Sequence, residues 1–125
     1  MFLEKIPAGF PSPASDYIEA GLDLNAYLVA HKASTFVFQV KGDSMSGIGI
    51  LDGDKLTVDR SIEPRHKHII VAVLNNEFTV KRLYRWGGVI ELRAENPAYA
   101  PIRCKDFEEI QVWGVVTGVL RKLQV

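Results

Sequence analysis

From residue 35 onward, hydrophobic and polar positions mostly alternate, and that period predicts strands. Thr35 to Lys41 puts Phe36, Phe38 and Val40 on one face. Lys55 to Arg60 is a second strand, entered by the turn Asp52-Gly53-Asp54. Ile69 to Leu74 is almost wholly apolar, the pattern of a central strand buried on both faces. Asn75-Asn76 suits a tight turn, because asparagine tolerates positive φ, and Glu77 to Tyr84 returns as the next strand. Gly87-Gly88 turns the chain into Val89 to Ala94, and Asn96 to Pro101 is a loop. Ile110 to Leu123 supplies one or two apolar strands interrupted by Gly114 and Gly118. A helical period occurs before residue 35, where Asp23 is placed to cap a helix over 24–31 with Leu24, Tyr27 and Leu28 on one face. The expected fold is mainly β, a compact bent or barrel-like sheet with one short N-terminal helix.

Residues 5 to 16 (KIPAGFPSPASD) hold three prolines, a glycine and two serines. Each proline fixes φ and removes a donor, so the segment reads as extended chain. The expected organisation is a flexible, cleavable arm over residues 1–16 and one domain over residues 17–125. A chain of 125 residues can bury one hydrophobic core but not two.

Fifteen basic residues balance fifteen acidic ones. Phosphate contacts dominate nucleic-acid affinity, so this balance argues against sequence-specific DNA binding as the primary role. It also gives little repulsion against self-association. Cys104 is the one cysteine, which excludes an internal disulfide and a cysteine-rich zinc site. No run approaches the ~18 apolar residues of a membrane-spanning helix, and Glu4 and Pro7 break any leader-like stretch. The expectation is a cytoplasmic protein with no metal, no cofactor and no membrane contact.

The candidate chemistry begins with Gly42-Asp43-Ser44-Met45, directly after a strand. A serine there has its hydroxyl in the open, although a Gly-Asp-Ser run equally suits an ordinary turn. Lys81 lies mid-strand, on the face shared by Thr79 and Leu83. It is either an exposed lysine paired with an acid on a neighbouring strand, or a desolvated amine of lowered pKa. In the second case it can take the proton of a serine hydroxyl. The arm supplies an extended segment, Ile6-Pro7-Ala8-Gly9-Phe10, with small residues at Ala8 and Gly9. A nucleophile, a base and a cleavable arm each predict the others. Backbone N–H groups near Ser44 would hold the oxyanion, with Met45 lining the cleft.

The runs Ala8-Gly9-Phe10-Pro11-Ser12-Pro13-Ala14, Gly42-Asp43-Ser44-Met45, Asp52-Gly53-Asp54, Glu77-Phe78-Thr79-Val80-Lys81-Arg82-Leu83, Asn96-Pro97-Ala98-Tyr99-Ala100-Pro101-Ile102 and Val112-Trp113-Gly114-Val115-Val116 resemble the UmuD branch of the LexA/UmuD family of self-cleaving Ser/Lys peptidases. The resemblance spans roughly residues 8 to 121. It implies a LexA-type peptidase fold, Ser44 as nucleophile, Lys81 as general base, and a cut between Ala8 and Gly9. The spacing of 37 residues between Ser44 and Lys81 fits the family pattern. The resemblance also implies a homodimer, a RecA filament on single-stranded DNA as co-protease, and a UmuC-like Y-family polymerase subunit as partner of the trimmed form in error-prone translesion synthesis during the SOS response.

Two positions depart from the family pattern. His66-Lys67-His68 stands where relatives carry a Gly-Asp turn, which puts the local turn geometry in question. The segment before the cut, Met1 to Ala8, is shorter than the piece UmuD sheds. His31, His66 and His68 read as surface histidines rather than a zinc set, and a Ser-His-Asp arrangement on Ser44 is the weaker alternative. Arg82, Arg85, Arg121 and Lys122 read as solvated charge balanced by Glu91, Glu108 and Glu109. A LexA-type repressor would need a helix-turn-helix domain ahead of the arm, and a signal peptidase a membrane anchor. The serious rival is a non-catalytic dimeric module that restrains a polymerase or checkpoint partner.

Overall fold

A computed structural model describes residues 3–4, 18–19, 21–105 and 110–125. They fall in two compact units, Met1–Ala30 and His31–Val125. In the first, β1 (Leu3–Glu4) pairs antiparallel with β2 (Ile18–Glu19), Leu3 opposite Glu19. Helix α1 (Leu24–Leu28) follows. Asp23 caps it as the sequence predicts, its carboxylate accepting from the N–H groups of Asn25 and Ala26 at 3.0 and 3.3 Å. The helix stops three residues short of the expected end. β-Branched Val29 is already extended, with φ −123°.

The second unit is a seven-stranded sheet built from β3 (Thr35–Gln39), β4 (Lys55–Asp59), β5 (Ile69–Leu74), β6 (Glu77–Trp86), β7 (Val89–Arg93), β8 (Ile102–Cys104) and β9 (Gln111–Leu120). Its order is β3-β4-β9-β5-β6-β7-β8, and every neighbouring pair is antiparallel. The apolar run 69–74 is the central strand, flanked by β9 and β6. Ile70 and Ala72 enter one core cluster with Leu83, Ile90 and Leu92. Val71 enters a second with Met45, Ile50, Leu56 and Val58. A strand that feeds both clusters has no polar face, which is why its sequence does not alternate.

Asn75 and Asn76 take φ of 51° and 65°, the positive values a two-residue hairpin turn needs, and Gly87 and Gly88 do the same between β6 and β7. The closing strand is continuous through Gly114 and Gly118. The irregularities lie one residue before each glycine: the register steps over Trp113 in the ladder to β5 and over Thr117 in the ladder to β4. Such bulges bend a strand and sharpen its twist. A Cβ on Gly114 would lie 2.7 Å from Val58 Cγ1, so the glycine allows a close approach between strands. The short strand β8 falls in a region the alternation does not mark.

Candidate active site

The chain leaves β3 at Gln39, and Val40 is still tied to the β4 entrance through Val40 N–H to Asp54 O and Gly53 N–H to Val40 O. Gly42 then turns the backbone at φ 90°, a value that favours glycine. Its N–H donates to Asp52 Oδ1 at 2.7 Å. Ser44 follows, half-buried, and the chain enters a 3-10 turn over Ser46–Ile48. Met45 is 2% exposed, packed in the core cluster of Ile50, Leu56, Val58 and Val71. Its side chain anchors the loop from below and fixes where the preceding hydroxyl stands.

The far wall is β6. Lys81 is buried, at 8% exposure, and its Nζ lies 3.2 Å from Ser44 Oγ. The same nitrogen is 3.0 Å from Thr79 Oγ1 and 3.3 Å from the Val80 carbonyl. Among the described residues the ion pairs are made by other cations, so Lys81 does not follow the alternative of an exposed strand lysine facing an acid. Burial pushes its pKa below the ordinary 10.5, because a low-dielectric site disfavours the ammonium.

The three partners suit either protonation state. An ammonium offers three N–H groups to three oxygens. A neutral amine gives two N–H groups to Thr79 Oγ1 and Val80 O, and turns its lone pair to the Ser44 O–H. Desolvation without a carboxylate makes the amine, the state that accepts a proton from serine, easier to reach than in a free lysine.

The loop expected over Asn96 to Pro101 braces the serine loop, a contact the sequence does not foretell. Gly47 N–H donates to Glu95 O at 2.7 Å, and Asn96 Nδ2 donates to Asp43 O at 2.9 Å. The Tyr99 ring lies over Lys81 Nζ, 5.7 Å from centroid to nitrogen. Glu95 in turn pairs with Arg82 at 2.6 Å, and Arg82 Nη1 donates to Lys67 O. The stretch Asn96 to Tyr99 carries only the family resemblance in the sequence. Its contacts to Asp43 span more than fifty residues, and no local pattern reports them.

Beside Ser44 is a cleft of about 140 Å³, lined among others by Phe38, Val40, Met45, Phe78, Thr79 and Val80. Phe38 packs on Phe78 and Trp113, with centroids 5.4 and 4.8 Å apart. The cleft is largely apolar and has Ser44 and Thr79, two residues that meet Lys81 Nζ, in its wall. Ala8 and Gly9, with the rest of residues 5–17, lie outside the described residues, as do Glu108 and Glu109.

Arg82 and Arg121, expected to be solvated charge, are structural. Arg121 holds the buried Asp54 carboxylate through Nε at 2.6 Å and Nη2 at 2.7 Å, and Nη2 also reaches Gly49 O at the end of the serine loop. The hydrogen bond from Arg121 and that from the Leu51 N–H lower the Asp54 pKa to about 2. Glu91 is claimed by Arg93 and Arg103. Each histidine has a local partner: His31 Nδ1 meets buried Asp59 at 2.6 Å, His66 Nδ1 accepts the Arg85 N–H, and His68 Nδ1 accepts the Arg65 N–H. Lys67 between them sits at φ 73°, so the turn keeps the left-handed geometry that a glycine would favour. Among the described residues no helix is long and apolar enough to cross a membrane.

The loop after β3 and the strand β6, with three strands between β3 and β6 in the sheet order, thus bring a serine hydroxyl within 3.2 Å of a buried lysine amine. Residues 1–117 match the Peptidase S24-like family. The chain is 45% identical to Protein SamA of Salmonella typhimurium, over 98% of this chain and 84% of that one. It is 42% identical to Protein MucA of Escherichia coli, covering 95% and 82%. It is 40% identical to the LexA repressor of Bordetella pertussis, covering 94% of this chain but 54% of the repressor. The chain belongs to the Peptidase S24-like family, as a UmuD-like member of its LexA/UmuD group.

Proposed function

We propose that this protein is a self-cleaving serine endopeptidase in which Ser44 is the nucleophile, Lys81 the general base, and the Ala8–Gly9 bond the substrate. The observation that carries the reading is the 3.2 Å approach of a buried, carboxylate-free Lys81 Nζ to Ser44 Oγ. Lys81 takes the hydroxyl proton as Ser44 Oγ attacks the Ala8 carbonyl carbon. The negative charge moves to the carbonyl oxygen, where backbone N–H groups beside Ser44 are the nearest donors by chain position. The bonding of the turn begins at Ser46 N–H, which donates to Asp43 O, so the N–H groups of Ser44 and Met45 are not consumed by it. When the tetrahedral species collapses, the C–N bond breaks and Lys81 returns the proton to the Gly9 amine. Water, deprotonated by Lys81, then cleaves the Ala8 ester of Ser44. A tethered substrate needs little binding energy, because its effective concentration is already high.

The resemblance to the UmuD branch implies a role in SOS mutagenesis, and that role is proposed here. The trimmed protein acts in the cytoplasm as a homodimeric accessory subunit of a UmuC-like Y-family polymerase, and a RecA filament on single-stranded DNA promotes the cut. Family membership supports this wider part.

Intact mass followed over time tests the reading, for wild type, Ser44→Ala and Lys81→Ala. Each is incubated at alkaline pH and, separately, with RecA, single-stranded DNA and nucleotide. The expected result is a wild-type product that begins at Gly9 and is missing from both variants. A wild type that stays whole under both conditions, or a Ser44→Ala chain cut equally fast, sinks the peptidase reading in favour of a non-catalytic dimeric module.

A further inference from the structure

Away from the serine cleft, the outer face of β6, β7 and β8 carries an array that the peptidase chemistry does not use. Register places Tyr84 opposite Glu91 and Glu91 opposite Arg103, with Trp86 opposite Val89 at the hairpin end. Residues two apart on a strand share a face, so Tyr84, Trp86, Glu91, Arg93 and Arg103 stand together. The alternate residues Leu83, Ile90 and Leu92 fill the core behind them.

His66 leans onto this face, its ring 5.6 Å from that of Tyr84 and 5.8 Å from that of Trp86. Tyr84 and Trp86 are 6.0 Å apart. The Arg93 guanidinium lies 4.0 Å from the Tyr84 centroid and 5.4 Å from that of Trp86. Trp86 is 44% exposed and His66 is exposed. A tryptophan at the turn end of a hairpin, with a histidine beside it, presents ring faces that nothing in the core requires.

The charge of the patch points one way. Glu91 is buried, its two oxygens taken by Arg93 at 2.8 Å and Arg103 at 2.6 Å. One carboxylate neutralises one of two guanidiniums, which leaves the pair cationic. The Arg103 side chain is still 75% exposed. Arg65 and Lys67, the neighbours of His66 in the chain, are exposed as well. Exposed flat rings among cations are what successive nucleobases and phosphates fit: the rings stack bases of any identity and the cations track the backbone. An acidic peptide would match the charge but leave Trp86 and His66 without a role.

We infer that this face binds single-stranded nucleic acid without sequence preference, bases stacking on Trp86 and His66 and phosphates meeting Arg93 and Arg103. The surface lies on strands outside the serine loop, and the inference does not depend on cleavage. It is compatible with the balanced net charge, because the cations are gathered locally rather than in excess.

The test is fluorescence anisotropy of a labelled oligothymidylate of about twenty nucleotides with the full chain, at about 50 and about 200 mM salt. Binding is expected to weaken as salt rises. Trp86→Ala should weaken it about tenfold, Trp86→Phe should keep most of it, and Arg103→Ala should flatten the salt dependence by about one phosphate contact. Thermal midpoints of the variants check that each is folded, and the phenylalanine variant decides the matter if the alanine one is not. The inference is overturned if no binding occurs at low salt, or if Trp86→Phe loses as much as Trp86→Ala. It is also overturned if a polyglutamate of equal charge displaces the oligonucleotide as readily as unlabelled oligothymidylate does, which would assign the face to an acidic protein.

Discussion

The Tyr99 hydroxyl donates a 2.6 Å hydrogen bond to Oδ1 of Asp43, the residue immediately before Ser44. The same tyrosine ring stands over Lys81 Nζ. One side chain therefore touches both the loop that carries the proposed nucleophile and the proposed base. The bond to Asp43 raises the Tyr99 pKa above the usual 10, since the neighbouring carboxylate disfavours the phenolate.

Tyr99→Phe keeps the ring and removes the bond. Self-cleavage is expected to slow roughly three- to tenfold, the range one net hydrogen bond supports, with little change in thermal midpoint because the site is exposed. Asp43→Asn, which retains an acceptor, should lose less. In wild type the rate should also fall at pH above the raised Tyr99 pKa, where phenolate and Asp43 repel each other, while Tyr99→Phe should not show that fall. Rates from intact mass across alkaline pH check both statements, and an unchanged Tyr99→Phe rate would remove Tyr99 from the site.

Lys81 links activity and stability to pH with the same sign. Its folded pKa lies below 10.5 through burial. Between the folded value and 10.5 the unfolded chain binds more protons, so stability rises with pH across that window. The cleavage rate should rise with pH as the folded lysine loses its proton. Lys81→Met abolishes cleavage and removes the cost of a buried ammonium, so at pH 7 it should be more stable than wild type, with the gap closing toward pH 10.5. Urea midpoints at pH 7 and near pH 10 test this. A Lys81→Met protein less stable than wild type at pH 7 would mean that the lysine is well paired rather than desolvated.

Much of this arrangement is legible in the sequence, for identifiable reasons. The β5–β6 hairpin is readable because Asn75-Asn76 is a strong turn signal between two patterned runs, whereas Ser44 and Lys81 are weak signals by position alone and stand out through motifs that resemble the family's. The strand β8 is not, since Ile102–Cys104 is too short to display a period. Gly114 has the look of an interruption, yet it is in-strand and lets β9 approach Val58. Arg121 looks solvated because its partner Asp54 is 67 residues away. Alternation reports which face a residue takes, and it says nothing about which distant loop meets that face.

Gly47 tests the brace behind the serine loop. A Cβ there would lie 2.4 Å from Glu95 O, a backbone atom that has little freedom to yield. Gly47→Ala must push the two loops apart and disturb the Gly47 N–H to Glu95 O bond. A loss of about 1–3 kcal/mol in unfolding free energy is expected, in line with overpacking, together with at least a tenfold slower cut. A denaturant titration beside the mass assay separates the two. Unaltered cleavage in a destabilised protein would show that the brace supports the fold alone.

Arg121→Ala leaves Asp54 buried beside Gly49 without its guanidinium. Arg121 is partly exposed but Asp54 is buried and would keep only the Leu51 N–H, so this variant should lose more thermal stability than Arg103→Ala, which leaves buried Glu91 its Arg93 partner. The pH dependence carries a sign. The Asp54 pKa is lowered from 3.8 to about 2, so its stabilising effect is complete above 3.8 and disappears as pH falls through 2. Wild type should therefore show a stability loss over that acid window that Arg121→Ala lacks. Parallel acid-unfolding curves for both proteins would expose a common slope if the pair contributes nothing.

Lys67 occupies the left-handed region at φ 73°, where a Cβ crowds the following carbonyl. Its backbone is held on both sides: Lys67 N–H donates to Leu83 O, and Arg82 Nη1 donates to Lys67 O. The conformation is thus imposed by the β6 edge and does not follow from a preference of lysine. Glycine takes the same φ without the steric cost, though it gives up more chain entropy on folding. The steric relief outweighs that entropy loss, so Lys67→Gly should stabilise the protein by about 0.5–1 kcal/mol. Lys67→Ala, which keeps a Cβ, should not. Urea midpoints of the two variants against wild type decide it. An equal gain in both would trace the effect to the lost charge among Arg65, Arg82 and Arg85, and a loss in Lys67→Gly would show that the turn is not strained.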